Sequence, residues 1–333
     1  MSAVAPETPL SPHALVPSKA SLSPEASDVA EAPDPWRPLS PCTTAACVRA
    51  AVAVAGPIQL AARLVVTFLV LLAGVPLSLV GRMRATWRTE LTMAWARLLL
   101  RALGVRLEAT ASESGTAPDA SAASDGGARP GGGAASGTGV LVVANHVSWL
   151  DPLVLAATVP SRPLAKREIG EWPFIRTLAA GAGALFIDRE RLSALPSAVA
   201  AVSDALGAGD TVVAFPEGTT WCGRGMGRFR PAVFQAAVDA GAPVRPAVLR
   251  YREGTATSTR ACYVGDDSLL ASIVRVAATR GLTVEVTLFD PVRPAAFTSR
   301  WPEARTALAK IAESRVRANV LEPNGHDQSG CMR

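Results

Sequence analysis

One histidine and one aspartate are the first candidates for chemistry in this sequence. The chain has three histidines; His13 and His326 lie in polar terminal stretches, so His146 is the one expected inside a folded domain. A histidine is the side chain best suited to accept a proton near neutral pH, and an adjacent carboxylate can fix its tautomer and stabilise the imidazolium. His146 is therefore predicted to be a general base with Asp151 as its partner.

The spacing of this pair requires a turn between the two residues. On a continuous α-helix, positions five apart point about 140° away from each other, so the side chains would diverge. The apolar run from Gly139 to Ala144 is typical of a strand, and Asp151-Pro152 is a common helix start. Ser148, in a Ser-x-x-Asp capping box, is an alternative helix start. A loop histidine next to an N-cap aspartate would leave the same pattern.

Two later segments also place charge at the end of an apolar run. Residues 183–189 read Gly-Ala-Leu-Phe-Ile-Asp-Arg, and residues 215–219 read Phe-Pro-Glu-Gly-Thr. In open α/β sheets, ligands bind outside the carboxyl ends of the strands. The strand ends at Ala144, Ile187 and Phe215 are therefore predicted to converge on one crevice, although each segment alone could be an ordinary turn.

Taken in order, these motifs resemble those of the 1-acylglycerol-3-phosphate acyltransferases. The four blocks are Asn-His-x4-Asp, Gly-x-x-Phe-Ile-Asp-Arg, Phe-Pro-Glu-Gly-Thr and a proline after a strand, Val244-Arg-Pro246. The segment from Lys166 to Pro173 is also similar to this family, and the resemblance covers roughly residues 55–295. It implies a glycerolipid acyltransferase-like α/β fold, with a central mixed sheet flanked by helices and an N-terminal membrane helix or helix pair.

The resemblance also implies acyl transfer from a thioester to a hydroxyl group. His146 would be the base for the acceptor hydroxyl, and Asp151 would hold its other ring nitrogen, as in a Ser-His-Asp triad in which the acceptor takes the place of serine. Arg189 would bind the acceptor phosphate through its planar guanidinium. No covalent enzyme intermediate is needed if the acceptor is held in line with the carbonyl.

The remaining binding candidates are assigned by the same resemblance. The block Glu217-Gly218-Thr219 is expected to bind the acceptor, with Glu217 holding a glycerol hydroxyl or orienting a cation such as Arg189. Lys166 and Arg245 are further candidate phosphate contacts, or ordinary surface charges. Pro246 is expected to shape the acyl-chain pocket.

Other kinds of chemistry have less support in the sequence. Ser148 could act as a nucleophile, but it does not lie in a Gly-x-Ser-x-Gly elbow, which favours a structural role. No metal is predicted, because there is no Cys-x-x-Cys and no carboxylate cluster at ligand spacing. Five scattered cysteines fit a reducing compartment. No resident cofactor is expected; acyl-CoA or acyl carrier protein would be a co-substrate.

An uncharged apolar stretch precedes the motifs. Leu64 to Gly81 comprises 18 residues without a charge, and spanning a bilayer takes about 20 apolar residues. Arginines follow at positions 82, 84 and 88; they favour the cytoplasmic side, which would expose the catalytic domain to the cytoplasm. Thr89 to Leu103 has the pattern of a basic amphipathic helix on a lipid surface. A helix pair embedded in one leaflet and buried core helices are the alternatives.

Composition divides the chain into four parts. They are a disordered tail (1–45), membrane-associated helices (46–103), an acyltransferase domain (104–322) with a low-complexity loop at 111–137, and a flexible tail (323–333). The first part has no secretory signal pattern. The net charge of +5 suits a membrane surface, whereas the dispersed arginines argue against nucleic acid.

Hydrophobic periodicity predicts an alternation of strands and helices, as in an α/β domain. After a first strand at 105–108, strands are expected near 139–144, 162–166, 183–187, 211–215, 243–249, 260–264 and 283–289. Helices are expected near 152–158, 172–180, 191–207, 231–240, 267–279 and 301–320.

Two functions of different class agree with these features. The first is a membrane enzyme that acylates the sn-2 hydroxyl of 1-acylglycerol-3-phosphate (lysophosphatidic acid) to give phosphatidic acid for phospholipid synthesis, or acylates another lysolipid such as lyso-ornithine lipid. The second is a non-catalytic membrane lipid-binding protein. The presence of both His146 and Asp151 favours the enzyme, although a fold alone does not determine function.

Overall fold

The alternating apolar runs form one mixed sheet flanked by helices, which confirms the predicted fold class. The computed structural model describes residues 39–83, 85–111, 137–167, 173–187, 192–294 and 301–320. The strands are β1 (Arg106–Ala111), β2 (Leu141–Ala144), β3 (Arg162–Lys166), β4 (Leu185–Ile187), β5 (Val212–Ala214), β6 (Val244–Glu253), β7 (Ala256–Thr257) and β8 (Leu282–Leu288). The helices are α1 (Thr44–Cys47), α2 (Pro57–Met83), α3 (Ala85–Ala102), α4 (Asp151–Thr158), α5 (Pro173–Gly181), α6 (Leu195–Gly207), α7 (Ala232–Ala240), α8 (Leu269–Ala278) and α9 (Trp301–Val320).

The strand order determines which strand ends can share a site. Within the described residues the order is β1-β8-β6-β2-β5-β3-β4, and β7 pairs with β6. Strands β6, β2, β5, β3 and β4 run parallel, whereas β8 runs antiparallel to β6 and pairs in parallel with β1. The carboxyl ends of β2 and β5 are therefore neighbours at one edge of the sheet, where ligands bind in open α/β folds.

The predicted convergence of three strand ends is only partly found. Ala144 ends β2 and Phe215 follows β5, so these two lie on adjacent strands. Ile187 ends β4, which is three positions from β2 in the sheet. At ~4.8 Å per strand, that separation is about 14 Å. The strand ends at Ala144 and Phe215 are therefore close together, whereas the strand end at Ile187 is distant from Ala144.

The two faces of the sheet carry separate cores, because side chains alternate along a strand. Val142 and Ala144 of β2 face a cluster built with α3, α4 and α8. Leu141 and Val143 face a second cluster built with α6, α7 and α9. All four side chains are buried, as expected for a central strand of a parallel sheet covered on both faces.

Most predicted elements are present, whereas α1 and β7 were not predicted. The strand predicted near 260–264 is wrong, since these residues form turns and loop; the amide of Cys262 donates to the Thr259 carbonyl. Ala261 and Cys262 are nevertheless fully buried, and an apolar run signals burial whether or not it pairs as a strand. A short 3-10 turn at Leu192–Ala194 precedes α6. Most of the predicted loop insert, 112–136, lies outside the described residues.

An N-terminal strap, defined as residues 39–56, packs along the domain instead of ending a disordered tail at residue 45. The Arg49 amide donates to Thr259 Oγ1 at 3.0 Å, and the Ala55 amide donates to the Ala278 carbonyl at 2.7 Å. The predicted boundary at 46 therefore divides a segment that the structure describes as continuous. Residues 1–38 of the predicted tail at 1–45, and the whole of the predicted tail at 323–333, lie outside the described residues.

Helix α2 contains the apolar stretch predicted to contact lipid. Its 25 residues from Pro57 to Gly81 form the one helix, within the described part of the chain, that is long and apolar enough to cross a membrane. At 1.5 Å per residue they span about 38 Å, more than the ~30 Å of a bilayer core. Its exposed apolar side chains are Ile58, Val65, Val66, Phe68, Leu69, Leu72, Leu79 and Val80.

Helix α3 packs inside the domain, as in the core-helix alternative. Leu99, Leu100 and Leu103, just past its end, are buried, and Arg97 Nε donates to the Ala157 carbonyl at 2.8 Å. Much of the apolar side predicted to meet lipid therefore faces protein, whereas Leu98 on that side is exposed. A plain core helix and a lipid-surface helix share the same hydrophobic period, so the pattern alone could not separate them.

Candidate active site

The histidine and aspartate of the first motif meet because the chain turns between β2 and α4. His146 follows the last residue of β2 by two positions, and Asp151 is the first residue of α4. His146 Nδ1 lies 2.8 Å from Asp151 Oδ2. Of the two predicted helix starts, the one at Asp151 is found; Ser148 instead accepts a hydrogen bond from the Leu150 amide.

Asp151 is buried completely, and the described groups that hydrogen-bond to its carboxylate can all donate. Oδ2 accepts the amides of Val147 at 2.6 Å and Ser148 at 2.8 Å, as well as His146 Nδ1. Oδ1 accepts the Tyr251 hydroxyl at 2.7 Å. An ionised carboxylate can only accept, so Nδ1 must carry the ring proton. In the neutral imidazole, His146 Nε2 is then the nitrogen without a proton, and it can act as a base.

The imidazole is held from several sides while remaining accessible. Its ring stacks on Phe215 with a centroid distance of 4.3 Å and an interplanar angle of 17°. The His146 amide donates to Glu217 Oε1 at 2.8 Å, and its carbonyl accepts the Trp221 amide at 2.8 Å. The side chain is 16% exposed, whereas that of Asp151 is 0% exposed. The ring can therefore meet a substrate from the solvent side.

Asn145 extends the strand pairing beyond β2. Its Nδ2 donates to the Leu249 carbonyl and its Oδ1 accepts the Leu249 amide, both at 2.9 Å. The amide side chain thus pairs with β6 as a backbone peptide would. Both polar atoms of a buried side chain are satisfied in this way, which keeps the backbone before His146 close to β6.

Glu217 has different partners from those expected of an acceptor ligand. It is buried, and its two oxygens accept the amides of His146 and, at 2.7 Å, Gly227. Burial raises the pKa of Glu217 to about 8, against the opposing effect of these two hydrogen bonds. Its binding of a glycerol hydroxyl stays a prediction. In the structure Glu217 joins the His146 loop to the loop at Gly227 by one hydrogen bond to each, and we call this connection the clamp.

The rest of the Phe-Pro-Glu-Gly-Thr block forms a tight turn. The Gly218 amide donates to the Phe215 carbonyl at 3.1 Å, and Gly218 has a φ of 76°. That left-handed conformation is open to glycine at little cost. Thr219 is half-buried beside it. The turn brings the block next to the histidine loop, as the sheet order requires.

Tyr251 is a site residue that no motif in the sequence identifies. It lies in β6, one hundred positions from Asp151, and is almost completely buried. Burial and the Asp151 charge hold the pKa of its hydroxyl well above the usual value. The hydroxyl therefore stays protonated and acts as a donor. The one available signal is that Tyr251 is one of only two tyrosines in the chain.

The other predicted binding residues are placed to different extents. Pro246 is buried within β6, and not after a strand, because it pairs with Val143 of β2. Arg245 precedes it and is half-buried. Lys166 is the last residue of β3. Arg189 lies outside the described residues, so its predicted contact with phosphate is not observed.

Within the described residues, His146 is not a member of the group of side chains that lie close enough together to hold a metal ion. Among the described residues, the group of three close side chains that could hold an ion consists of Cys42, Cys47 and Cys222. Asp151 and Glu217 instead have N–H and O–H donors around their carboxylates. The arrangement around His146 is suited to proton transfer.

Comparison with known proteins relates this arrangement to a group of enzymes. Residues 130–250, which include every placed site residue except Tyr251, match the family described as Acyltransferase. A 1-acyl-sn-glycerol-3-phosphate acyltransferase of Neisseria gonorrhoeae is 38% identical over 184 residues, which cover 55% of this chain and 70% of the relative. A lyso-ornithine lipid O-acyltransferase of Pseudomonas aeruginosa is 33% identical over 187 residues, covering 54% and 66% of the two chains.

A solved structure shares the fold. The crystal structure of the 1-acyl-sn-glycerophosphate (LPA) acyltransferase PlsC from Thermotoga maritima aligns with a TM-score of 0.55 and 18% identity, and covers 82% of this chain and 97% of that one. At this identity the likeness supports the fold alone.

Proposed function

Because the chain belongs to the 1-acyl-sn-glycerol-3-phosphate acyltransferase family, we propose that it acylates the sn-2 hydroxyl of 1-acylglycerol-3-phosphate. Family membership makes the chain an acyltransferase that acts on lipid. The acyl donor is a thioester of coenzyme A or of acyl carrier protein, and the product is phosphatidic acid for phospholipid synthesis. Acceptor and donor are the parts of this statement that need experiment.

The observation that carries the proposal is the His146–Asp151 pair, in which a buried carboxylate orients an imidazole that is still accessible. A 2.8 Å contact joins Nδ1 to the carboxylate, and three further donors restrain that carboxylate. A base whose tautomer and orientation are set before the substrate arrives loses little freedom on reaction. The pair resembles two members of a Ser-His-Asp triad, and the acceptor hydroxyl supplies the third.

In the proposed reaction, His146 Nε2 takes the proton of the acceptor hydroxyl as its oxygen attacks the thioester carbonyl carbon. A carbon–oxygen bond forms, and the carbonyl becomes a tetrahedral oxyanion. Collapse of this intermediate breaks the carbon–sulfur bond, and the imidazolium returns its proton to the leaving thiolate. Asp151 stabilises the imidazolium between the two steps.

A direct attack by the acceptor is favoured over a serine nucleophile. Ser148 is completely buried, and its Oγ accepts the Leu150 amide at 3.2 Å. A nucleophile must reach the carbonyl carbon with its oxygen. Ser148 would have to leave the turn that it supports, so its role in this proposal is structural.

The binding roles come from the family motifs in which these residues lie and, for the cations, from the charges of their side chains. Arg189 binds the acceptor phosphate, because a guanidinium can hold two phosphate oxygens at once. Lys166, at the end of β3, adds a second positive charge for the phosphate. Gly218 and Thr219 border the acceptor hydroxyl, and Pro246 borders the acyl chain.

Family membership and the apolar helix α2 together indicate a membrane location. Only 28% of the apolar window of α2 is buried, so most of it would face lipid. Arginines at positions 82, 84 and 88 follow the apolar stretch. Because positive flanks stay on the cytoplasmic side, we expect the catalytic domain to face the cytoplasm, where both thioester donors occur.

The test is acyl transfer by membranes that contain the full chain. Labelled acyl-CoA and acyl–acyl carrier protein would each be offered with lysophosphatidic acid, lyso-ornithine lipid and other lysolipids. His146→Ala should abolish product formation, while His13→Ala, a matched histidine change outside the motifs, should leave it unchanged. Transfer that survives His146→Ala would refute the base assignment.

Lyso-ornithine lipid is the second candidate acceptor. Several relatives are named lyso-ornithine lipid O-acyltransferases, including the one from Brucella abortus, which is 28% identical over 250 residues. His146-dependent acylation of that acceptor alone would keep the mechanism and replace the substrate. Absence of transfer with every donor and acceptor would support the non-catalytic lipid-binding alternative.

A further inference from the structure

Two neighbouring parts of the surface expose apolar side chains. In the strap, Val52 is 77% exposed and Val54 is 62% exposed. In helix α8, Leu270 is 70% exposed and Val274 is 36% exposed. We call these four residues the apolar patch. Single exposed apolar side chains are common, whereas a group of them on one surface marks a contact with another apolar body.

The strap and α8 meet at the end of the helix, which joins the two halves of the patch. The Ala55 amide donates to the Ala278 carbonyl at 2.7 Å, and Val54 forms an antiparallel bridge with Thr279. Val274 lies about one helical turn before Ala278. The exposed valines of the strap therefore lie next to the last turn of α8.

Helix α8 differs from an ordinary surface helix in where its polar residues lie. A surface helix turns apolar residues inward and polar residues to solvent. The polar residues of α8 are Ser272 and Arg275, and both face the domain. Ser272 Oγ accepts Trp149 Nε1 at 3.1 Å, and Arg275 Nη2 donates to the Cys262 carbonyl at 2.7 Å. The outer side of α8 is thus left with apolar side chains, for which water is an unfavourable environment.

The patch adjoins the start of helix α2, whose exposed apolar side is proposed to face lipid. Arg63 of α2 donates to the carbonyls of Ala277 at 2.7 Å and Thr279 at 2.9 Å, at the end of α8. Ile58, in the first turn of α2, is 85% exposed. The apolar surface thus continues from α2 across the strap to α8.

Both ends of α2 are held by the same domain. The strap before α2 bonds to α8 through the Ala55 amide. Helix α3 follows α2 and packs against α4, where Arg97 Nε donates to the Ala157 carbonyl at 2.8 Å. A helix attached at both ends lies along the surface of its domain, as an interfacial helix does on a membrane. The exposed side of α2 and the patch can therefore meet the same leaflet of a bilayer.

We propose that the apolar patch inserts into one bilayer leaflet and gives the chain a second lipid contact beside α2. The inference rests on the proposed membrane location of α2. Arg280 borders the patch; it is exposed, and its amide donates to the Ala53 carbonyl at 2.9 Å. A cation at this position would meet anionic head groups. In a symmetric contact between two copies of the chain, the same surface meets itself, which would bring like charges together. The charge therefore favours lipid over a second copy.

The inner side of α8 links this contact to the candidate active site. Trp149 lies in the turn between His146 and Asp151, and its indole donates to Ser272 of α8. The outer side of the same helix carries half of the patch. Lipid contact at α8 therefore leaves a single helix between the leaflet, which holds a lysolipid acceptor, and the turn that carries the base.

The experiment is photolabelling of the full chain in vesicles of phosphatidylcholine and phosphatidylglycerol whose acyl chains carry a diazirine. Light releases nitrogen from the diazirine, and the carbene that remains inserts into side chains that touch the acyl chains. Peptide mass spectrometry then locates the label. On the wild-type chain, the patch and the exposed side of α2 should carry at least about tenfold more label than α6, which covers the other face of the sheet.

The double variant Leu270→Asp/Val274→Asp should lose the label on α8 and keep the label on α2, because aspartate is unfavourable in the acyl-chain region. Ser197→Asp/Ala201→Asp is the matched control. It places two aspartates at the same spacing on exposed positions of α6, and it should leave the labelling of α8 unchanged. The wild-type labelling decides the question even if a variant fails to fold.

Label on α2 with no more label on the patch than on α6 would overturn the proposal. If the patch is shielded from both the lipid probe and a water-soluble diazirine, protein covers it and lipid does not, which also refutes the lipid contact. Labelling needs no acyl transfer, so its outcome is independent of the His146→Ala test of the proposed function.

Discussion

Replacing Asp151 by asparagine tests how the carboxylate acts on His146. In Ser-His-Asp triads this change lowers kcat about 10⁴-fold, because the amide supports the wrong histidine tautomer. Here the Val147 and Ser148 amides also donate to Oδ2. An amide nitrogen cannot accept them, so the asparagine oxygen should stay at this position and keep the Nδ1–H bond. Its nitrogen then faces the Tyr251 hydroxyl, which can rotate to accept.

The predicted loss therefore comes from charge alone. Two unit charges about 4 Å apart interact by about 4 kcal/mol at an effective dielectric of ~20. The retained neutral hydrogen bond contributes about 1 kcal/mol. The difference of about 3 kcal/mol corresponds to a fall in kcat of about 10²-fold. This is smaller than the loss expected from a reversed tautomer.

The assay is the initial rate of acyl transfer by Asp151→Asn, His146→Ala and wild type at equal protein concentration. Tyr251→Phe and the double variant Asp151→Asn/Tyr251→Phe complete the set, because the phenol is the acceptor that the asparagine nitrogen needs. The double variant should lose more than the two single losses combined. A fall of 10⁴-fold or more in Asp151→Asn alone would refute the fixed orientation, and retention of near wild-type rates would show that the charge is not used.

Three further predictions address the clamp, the acceptor and the membrane. The folded state binds the proton of Glu217 more tightly than the unfolded state, since burial raises its pKa from 4.5 to about 8. The free energy of unfolding should therefore fall by about 5 kcal/mol as the pH rises between these two pKa values. Glu217→Gln should remove this pH dependence of the unfolding free energy, measured by denaturation at several pH values. An unchanged pH dependence would contradict the buried clamp. Arg189→Ala should chiefly raise the KM for a phosphate-bearing acceptor, and an unchanged KM would exclude the phosphate contact. Phe68→Asp and Leu72→Asp place charge on the exposed apolar side of α2, and each should make insertion into a bilayer about 3 kcal/mol less favourable. Both should therefore reduce the membrane-bound fraction after sedimentation, whereas the control Gln59→Asp, near the helix start, should not. Equal retention of all three variants would argue against insertion.

The pairing of His146 with Asp151 could be predicted because it depends on neighbours in the chain. A strand end, a short turn and a helix start all have local signals, and together they determine where two side chains five positions apart can meet. The fold class follows for a similar reason. Strand and helix periods of hydrophobicity are properties of short windows, and their alternation indicates an α/β domain.

Predictions that needed more than local signals were less complete. The run at 260–264 is rich in apolar residues, and Ala261 and Cys262 are buried. Burial alone does not distinguish a strand from a packed loop, so the strand prediction there failed. The same ambiguity affects α3, whose side chains Leu99 and Leu100 pack against protein. The role expected of Glu217, binding a glycerol hydroxyl or orienting a cation, stays a prediction; the fold adds two backbone amides that donate to its carboxylate.

Sequence alone determined the candidate base, its acid partner and the order of the motifs, since each is written in adjacent or nearly adjacent residues. Tertiary structure decided which distant groups complete the site. The sheet order places β6 beside β2, and β5 on the other side of β2, so Tyr251 reaches Asp151 and Glu217 reaches the His146 amide. The strap brings Cys42 and Cys47 to Cys222. These contacts join residues far apart in the chain, and their positions follow from packing, which no single segment specifies.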